Sequence, residues 1–516
     1  MHAALSPTAI VGIIAAYFGL LVLISWRTSR GHSGNDDFFL AGRRSPWPLV
    51  ALGMIGASLS GVTFISVPGA VGAGGTNQAF SYFQVVLGYL LGYLVIATVL
   101  LPLYYRMGLT SIYEYLEQRI GYYGYKVGAG YFILSRVIGA AFRLFLVAIV
   151  LQQFVTGPLG LPFALTVAVT ILLIWAYTFR GGIRTIVYTD TLQTVCMLAA
   201  AGMTVYYVAG ALETGIGDLA GIIRNSDYGQ VFFFEGGWSD PNNFFKQFFS
   251  GALITIVMTG LDQDMMQKNL SMPNIRDAQK NMAVFSLVLI FANLLFLALG
   301  ALLYIYAATV GLEVPESSDQ LYPMIALRHL PTGAGIVFVL GLIAAAYSSA
   351  DSALTALTTS FCVDFLGMRP PEEEAEAEGA AAGAKIIGAD PRRLRVHVGF
   401  SVLLFLVIMA FQLIGDRAVI NSLFKAAGYT YGPLLGLFAF GLLTRFRVRE
   451  VVPLLGRPVP VLAIVCILSP VISIVVDSYS AELFGGFQFG FLILAFNGLL
   501  TFLGLIALSD FAGEEL

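Results

Sequence analysis

Stretches of about 20 mostly apolar residues, the length one helical crossing of a roughly 30 Å hydrocarbon layer requires, recur along the whole chain. They fall at residues 8–26, 47–71, 79–105, 127–156, 161–179, 188–211, 247–262, 281–309, 333–363, 396–414, 419–443, 452–476 and 487–509. The pattern predicts an all-α polytopic membrane protein with about 13 transmembrane helices. The first stretch has no basic run before it and no small-residue cleavage site after it, so it reads as a retained span.

Loop charges give this string of helices a direction, because arginine and lysine resist translocation. With an odd number of spans, one side collects twenty of the loop cations, among them Arg43, Arg44, Lys268 and Arg276. The other side collects Arg224, Lys246, Arg328 and Arg417. That asymmetry predicts the N-terminus outside the cell membrane and the C-terminus inside. Two hydrophilic segments interrupt the spans. Residues 213–246 carry aromatic and polar side chains suited to a lid, and residues 368–391 form an acidic low-complexity cytoplasmic linker that cannot build a core.

Composition adds to this picture chiefly by exclusion. The 516 residues are 58% hydrophobic and 11% charged, with a net charge of −3, so lipid is the solvent and no basic face offers itself to nucleic acid. Cys196, Cys362 and Cys466 sit in apolar stretches without pairing or ligand spacing, and His2, His32, His329 and His397 are scattered. No phosphate loop or nucleophile elbow is present, which excludes ATP hydrolysis and the commoner enzymatic constellations. Nothing points to an obligate protein partner.

Chemistry concentrates in a few spans. The second reads LVALGMIGASLSGVTFISVPG over residues 49–69. Gly53, Gly56 and Gly61, the hydroxyls Ser58, Ser60, Thr63 and Ser66, and Pro68 crowd its middle, where a lipid-facing helix has leucine and valine. Backbone freed at membrane depth is tolerated only when it is buried in protein or lines a cavity, so this is a candidate broken helix; a close small-residue helix contact is the alternative. The ninth span reads AAAYSSADSALT over 344–355, placing Ala345, Ser348, Ser349 and Ser352 on one stripe. Such oxygens suit a hard cation, and Asp351, costly in a span, marks an ion or proton pathway. A small-residue packing seam is again the alternative. Asp190 opens the sixth span either as a functional carboxylate or as part of a helix-capping pattern. Arg136, Arg143 and Lys425 also lie within spans, Arg143 deepest, and call for an anion or an internal carboxylate.

Five segments in order resemble the sodium/solute symporter family: DDFFLAGRRSPW (36–47), the stretch from Ser60 to Gly69, GGIRTIVYTDTLQ (181–193), AAAYSSADSALTA (344–356) and GYTYGPLLGLF (428–438). The resemblance implies a LeuT-type fold, with a peripheral helix at 8–26, five-helix inverted repeats at 47–211 and 247–443, and accessory helices at 452–509. It implies Na+ held by the carbonyls of Gly56, Leu59 and Ala345 and the hydroxyls of Ser348 and Ser349. Gly56 stands where relatives often have alanine, a small change for a backbone ligand. A possible second cation falls to Asp190, Asp351 and Ser352, the second site of some relatives matching Asp190 with the hydroxyls of Ser348 and Ser352, and Asp351 replacing a serine of some of them. A solute pocket is implied at Ser60, Thr63, Gln84, Arg143 and Lys425. Phe424-Lys425 stands where sugar carriers have a Gln-Glu pair, which turns the expectation from a neutral hexose toward a carboxylate such as a sialic acid or amino acid. The implied activity is sodium-coupled symport by alternating access. A proton-coupled carrier of a sugar or other neutral solute, and a membrane sensor that binds solute without moving it, remain open beside it.

Overall fold

The structure, a computed structural model, describes residues 7–28, 35–72, 78–178, 182–368, 390–414, 419–454 and 457–510. Long helices follow the apolar stretches. They are α1 (Pro7–Thr28), α2 (Trp47–Ser58), α3 (Gly61–Ala70), α4 (Ser81–Met107), α5 (Tyr122–Thr156), α6 (Phe163–Thr178), α7 (Gly182–Ala211) and α8 (Phe244–Gly260). After them come α9 (Gln263–Leu270), α10 (Ile275–Thr309), α11 (Thr332–Phe365), α12 (Pro391–Ile414), α13 (Val419–Leu443), α14 (Val461–Ser478) and α15 (Ile493–Ala507).

Among the described residues ten helices are long and apolar enough to cross a membrane, or twelve if each of two bent pairs is one span. A count of thirteen requires α6, sixteen residues long, to cross as well. Both bent pairs interrupt the chain at glycine: α2 meets α3 at 53°, and α8 meets α9 at 62°.

Burial sorts the helices. In α11, 78% of the most apolar window is buried inside the protein, against 22% in α1 and α14. The first therefore stands at the centre, packed on α7, α5, α2 and α3, and the other two at the rim. Leu94, Leu172, Phe291 and Ile467 are exposed on the outer surface, as expected of side chains solvated by acyl tails. With lipid as apolar as leucine, close packing has to do what the hydrophobic effect does in water. Glycines make that possible where α4 crosses α8. A side-chain carbon on Gly88 would lie 2.0 Å from the Phe248 carbonyl oxygen, and one on Gly251 would lie 2.1 Å from that of Val85.

Three sequence expectations are corrected. The stretch 452–476 does not begin as helix: Val452–Leu454 (β1) pairs antiparallel with Arg457–Val459 (β2), and α14 starts at Val461. Proline at 453, 458 and 460 accounts for this, since proline removes the helical N–H donor. The sixth span begins at Gly182 rather than near 188, which leaves Asp190 two turns inside α7 and removes its reading as a cap. Residues 263–270, taken as loop from their polarity, form α9, whose eight residues are all buried. Of the acidic segment 368–391, residues 369–389 lie outside the described residues.

Candidate functional site

The break between α2 and α3 organises the centre. Leu59 has φ −80° and ψ 79°, and Ser60 has φ −79° and ψ −179°, so two residues leave helical geometry and the chain re-enters it at Gly61. The Ser60 amide bonds the Ser58 carbonyl at 3.1 Å rather than closing a helical turn onto Gly56. The carbonyls preceding the break are thereby available to a ligand, as buried irregular backbone in a membrane protein allows.

The glycine face of α2 admits its neighbours closely. A Cβ on Gly53 would sit 3.1 Å from Asp190 Cβ, and one on Gly56 would sit 2.2 Å from Thr194 Oγ1 and 3.1 Å from Ser348 Oγ. Thr194 donates to the Leu52 carbonyl at 2.6 Å, and Thr191 donates to that of Leu49 at 3.1 Å. The structure thus brings the broken helix α2 and the hydroxyl stripe of α11 against each other, with α7 completing a triangle.

Within that triangle Ala345, Ser348, Ser349 and Ser352 are buried. Ser349 Oγ has no hydrogen-bond partner among the described residues, an orphaned buried oxygen whose cost a bound cation would relieve. Ser348 Oγ donates to Asp190 Oδ1 at 2.9 Å and Ser352 Oγ to Oδ2 at 3.3 Å. A hydroxyl that donates in this way still has lone pairs for a cation, so the bond to Asp190 leaves Ser348 able to ligate one. Asp190 Oδ2 also accepts from Lys268 Nζ at 2.9 Å. Lys268, placed among the loop cations by its sequence setting, is buried on α9, and the structure corrects that assignment. Asp351 is bound elsewhere, accepting from Tyr177 Oη at 2.7 Å and from the Ser352 amide at 2.6 Å.

A cavity of about 80 Å³ opens beside the break, lined by Ser58, Ser60, Thr63, Tyr82, Arg136, Arg143, Thr259 and Asn293 among others. Its two arginines differ in their partners. Arg136 is ion-paired with Asp264 and lies 3.7 Å from Asp262, and Tyr431 donates to the same Asp262 at 2.7 Å. Arg143 has no carboxylate within ion-pair distance among the described residues, and its Nε is buried without a partner. A buried guanidinium in this condition calls for an anion.

Ser60, Thr63 and Arg143 are therefore together at the cavity, whereas two expected pocket residues are not. Gln84 is fully buried, with its amide spanning the backbone of the 213–246 segment: it accepts from the Phe233 amide at 3.0 Å and donates to the Asn242 carbonyl at 2.8 Å. Lys425 is largely exposed and pairs with Asp477 of α14 at 3.1 Å. Asn293, Thr259 and Tyr82 carry no signal in the sequence beyond polarity in a span, and Lys268 is disguised by the polar segment around it.

Known proteins resemble this chain throughout. Residues 38–390 match the Sodium:solute symporter family. A sodium/sialic acid symporter of Aliivibrio fischeri is 24% identical over 451 residues, 83% of this chain and 82% of that protein. A sodium-coupled monocarboxylate transporter of Xenopus laevis is 27% identical over 462 residues, 85% of this chain and 66% of that protein. A solved Na+-coupled sialic acid symporter in a substrate-bound outward-open state superposes with a TM-score of 0.76 at 19% identity, covering 96% of this chain and 97% of that one. Mhp1, a nucleobase-cation-symport-1 transporter in a closed conformation, superposes with a TM-score of 0.55 at 15% identity over 92% and 94% of the two chains. The shared architecture is the LeuT-type fold.

Proposed function

Since this chain belongs to the sodium:solute symporter family, we propose that it imports a small carboxylate-bearing solute together with sodium by alternating access. In this reading the N-terminus lies outside, the C-terminus inside, and α2 to α7 and α8 to α13 form the two repeats, with α6 crossing the membrane. The observation that carries the solute class is the unpaired Arg143 guanidinium, facing the same cavity as Ser60 and Thr63.

The cavity and the ion ligands share the α2–α3 break, which supplies coupling without further machinery. Sodium bridging the carbonyls of Gly56 and Leu59 to Ala345, Ser348 and Ser349 fixes α2 against α11. That in turn sets Ser60, at the break, and Thr63, on the first turn of α3, around the solute. A carboxylate on Arg143 satisfies a buried charge whose desolvation cost no carboxylate among the described residues offsets. Each ligand thus finds the other's partner pre-ordered, which is positive coupling between two sites. The pairing of Lys425 with Asp477 and the structural use of Gln84 take two of the expected polar groups away from the solute.

The test is thermal stability of the purified chain against sialic acids, short monocarboxylates, amino acids and neutral hexoses, each with and without sodium, since a ligand raises stability by mass action. A carboxylate that stabilises only with sodium is expected. Arg143→Gln should erase the response to the carboxylate while keeping that to sodium, and Ser349→Ala should erase both. Stabilisation by hexoses alone would overturn the solute class, and a carboxylate response indifferent to sodium would overturn the coupling.

A further inference from the structure

Asp190 and the hydroxyls of Ser348 and Ser352 gather oxygen ligands from α7 and α11 next to the proposed sodium site, and this cluster already contains a positive charge. Lys268 reaches it from α9, with Nζ 2.9 Å from Asp190 Oδ2. Both side chains are essentially inaccessible. Among the described residues the ammonium has one other carboxylate within ion-pair distance, Asp264 at 3.8 Å, and Asp264 is engaged by Arg136.

The lysine is also held in place. Gln263 of α9 donates to the Thr110 carbonyl at 2.8 Å and accepts from the Ile112 amide at 3.0 Å, and Gln267 donates to Thr359 Oγ1 at 2.9 Å. Asn269 accepts from Asn281 at 2.9 Å. The helix carrying Lys268 is therefore anchored on both flanks of the ammonium, with its polar side chains tied into the surrounding elements. A metal ion entering the Asp190 cluster would have to displace an ammonium whose other acceptor is taken, or sit beside it as a like charge in a medium that screens poorly.

We propose that Lys268 is a resident cation filling the second cation position at Asp190, Ser348 and Ser352, so that this carrier binds one sodium ion per cycle. The proposal rests on the sodium-coupled reading above and deepens it. Asp190 then serves as the lysine's counter-ion and, through Ser348, orients a ligand of the single sodium. Removing the ammonium while keeping Asp190 exposes a carboxylate with two hydroxyls, the donor set a hard cation takes.

The experiment counts radioactive sodium bound to the purified full chain in lipid nanodiscs, with no solute added. The wild type should bind one sodium per chain. Lys268→Met should bind two, and Lys268→Met combined with Asp190→Asn should return to one. Two sodium ions on the wild type, or one on Lys268→Met, would overturn the resident lysine while leaving sodium coupling intact. No saturable binding by the wild type would instead overturn the sodium reading itself. If Lys268→Met alone does not fold, the wild-type count decides, with one ion sustaining the proposal and two ending it.

Discussion

Gly56 sits where three helices converge, and its missing side chain is what lets them do so. The family resemblance, which often sets alanine at this position, makes the exchange look harmless for a carbonyl ligand. Here the added carbon would lie 2.2 Å from Thr194 Oγ1, a hydroxyl already held by the carbonyls of Leu52 and Asp190. Gly56→Ala is therefore expected to cost about 1–3 kcal/mol, the usual range for overpacking, and to weaken sodium binding by pushing α2 away from Ser348. Thr194→Ala in the same chain removes the obstructing atom and should restore much of the loss. Melting temperatures of the single and double variants, with and without sodium, check this. An unchanged melting temperature for Gly56→Ala would show that the approach is looser than described. At the same scale, sequence offers both Arg136 and Arg143 as intramembrane cations, Arg143 the deeper. Asp264 of α9 and Asp262 just before it separate them, by engaging Arg136.

At the scale of elements, two helix halves depart from what hydropathy alone describes. α9 is polar along its length, with Gln263, Asp264, Gln267, Lys268 and Asn269 in eight residues, and so reads as loop. It is buried because its polar groups find partners on other elements, and a buried polar group is tolerable once bonded. α3 is apolar enough to read as span, but its far end is sealed by a polar segment. Tyr304 Oη donates to the Gly69 carbonyl at 2.6 Å, and a Cβ on Gly69 would meet the Ser318 carbonyl oxygen at 2.5 Å. Next to that contact Asp319, in the 318–320 turn outside the spans, is buried, and desolvation pushes its carboxyl up from 3.8 to about 6, with nearby Ser66 offsetting part of the rise. Because the folded pKa is raised, the native state holds this proton more tightly than the unfolded chain. The resulting destabilisation is complete above pH about 6 and is relieved as the pH falls from there toward 3.8. Acidification from pH 7.5 to 5 should thus strengthen the packing of this turn on α3, and Asp319→Asn should abolish that pH-dependent gain. Thermal stability of both proteins across this range is the measurement, and parallel curves would refute the assignment.

For the whole molecule, one sodium and one monovalent carboxylate moving together carry no net charge. A transported charge is worth about 2.3 kcal/mol per 100 mV, so with a singly charged solute accumulation in proteoliposomes should follow the sodium gradient and be unaffected by an imposed potassium diffusion potential. Uptake that accelerates with inside-negative voltage would signal a further cation. Much of the architecture was legible beforehand, because a bilayer imposes a local requirement: each crossing needs its own apolar run, and Gly56, Gly61 and Ser60 announce a break within one. The LeuT-type fold that the family resemblance implied is the one found, α2 packs on the α11 stripe, and Ser60, Thr63 and Arg143 line one cavity. Gln84, Lys425 and Lys268 depart from expectation, since whether a polar side chain faces a pocket, a loop backbone or a carboxylate depends on residues far along the chain. By itself, the amino-acid order determined where the chain is solvated by lipid and which residues bring oxygen or charge into that layer, because burial in lipid acts on each segment separately. Tertiary structure alone decided which charges cancel. Lys268 and Asp190 lie 78 positions apart, and only a folded distance of 2.9 Å makes them one neutral pair.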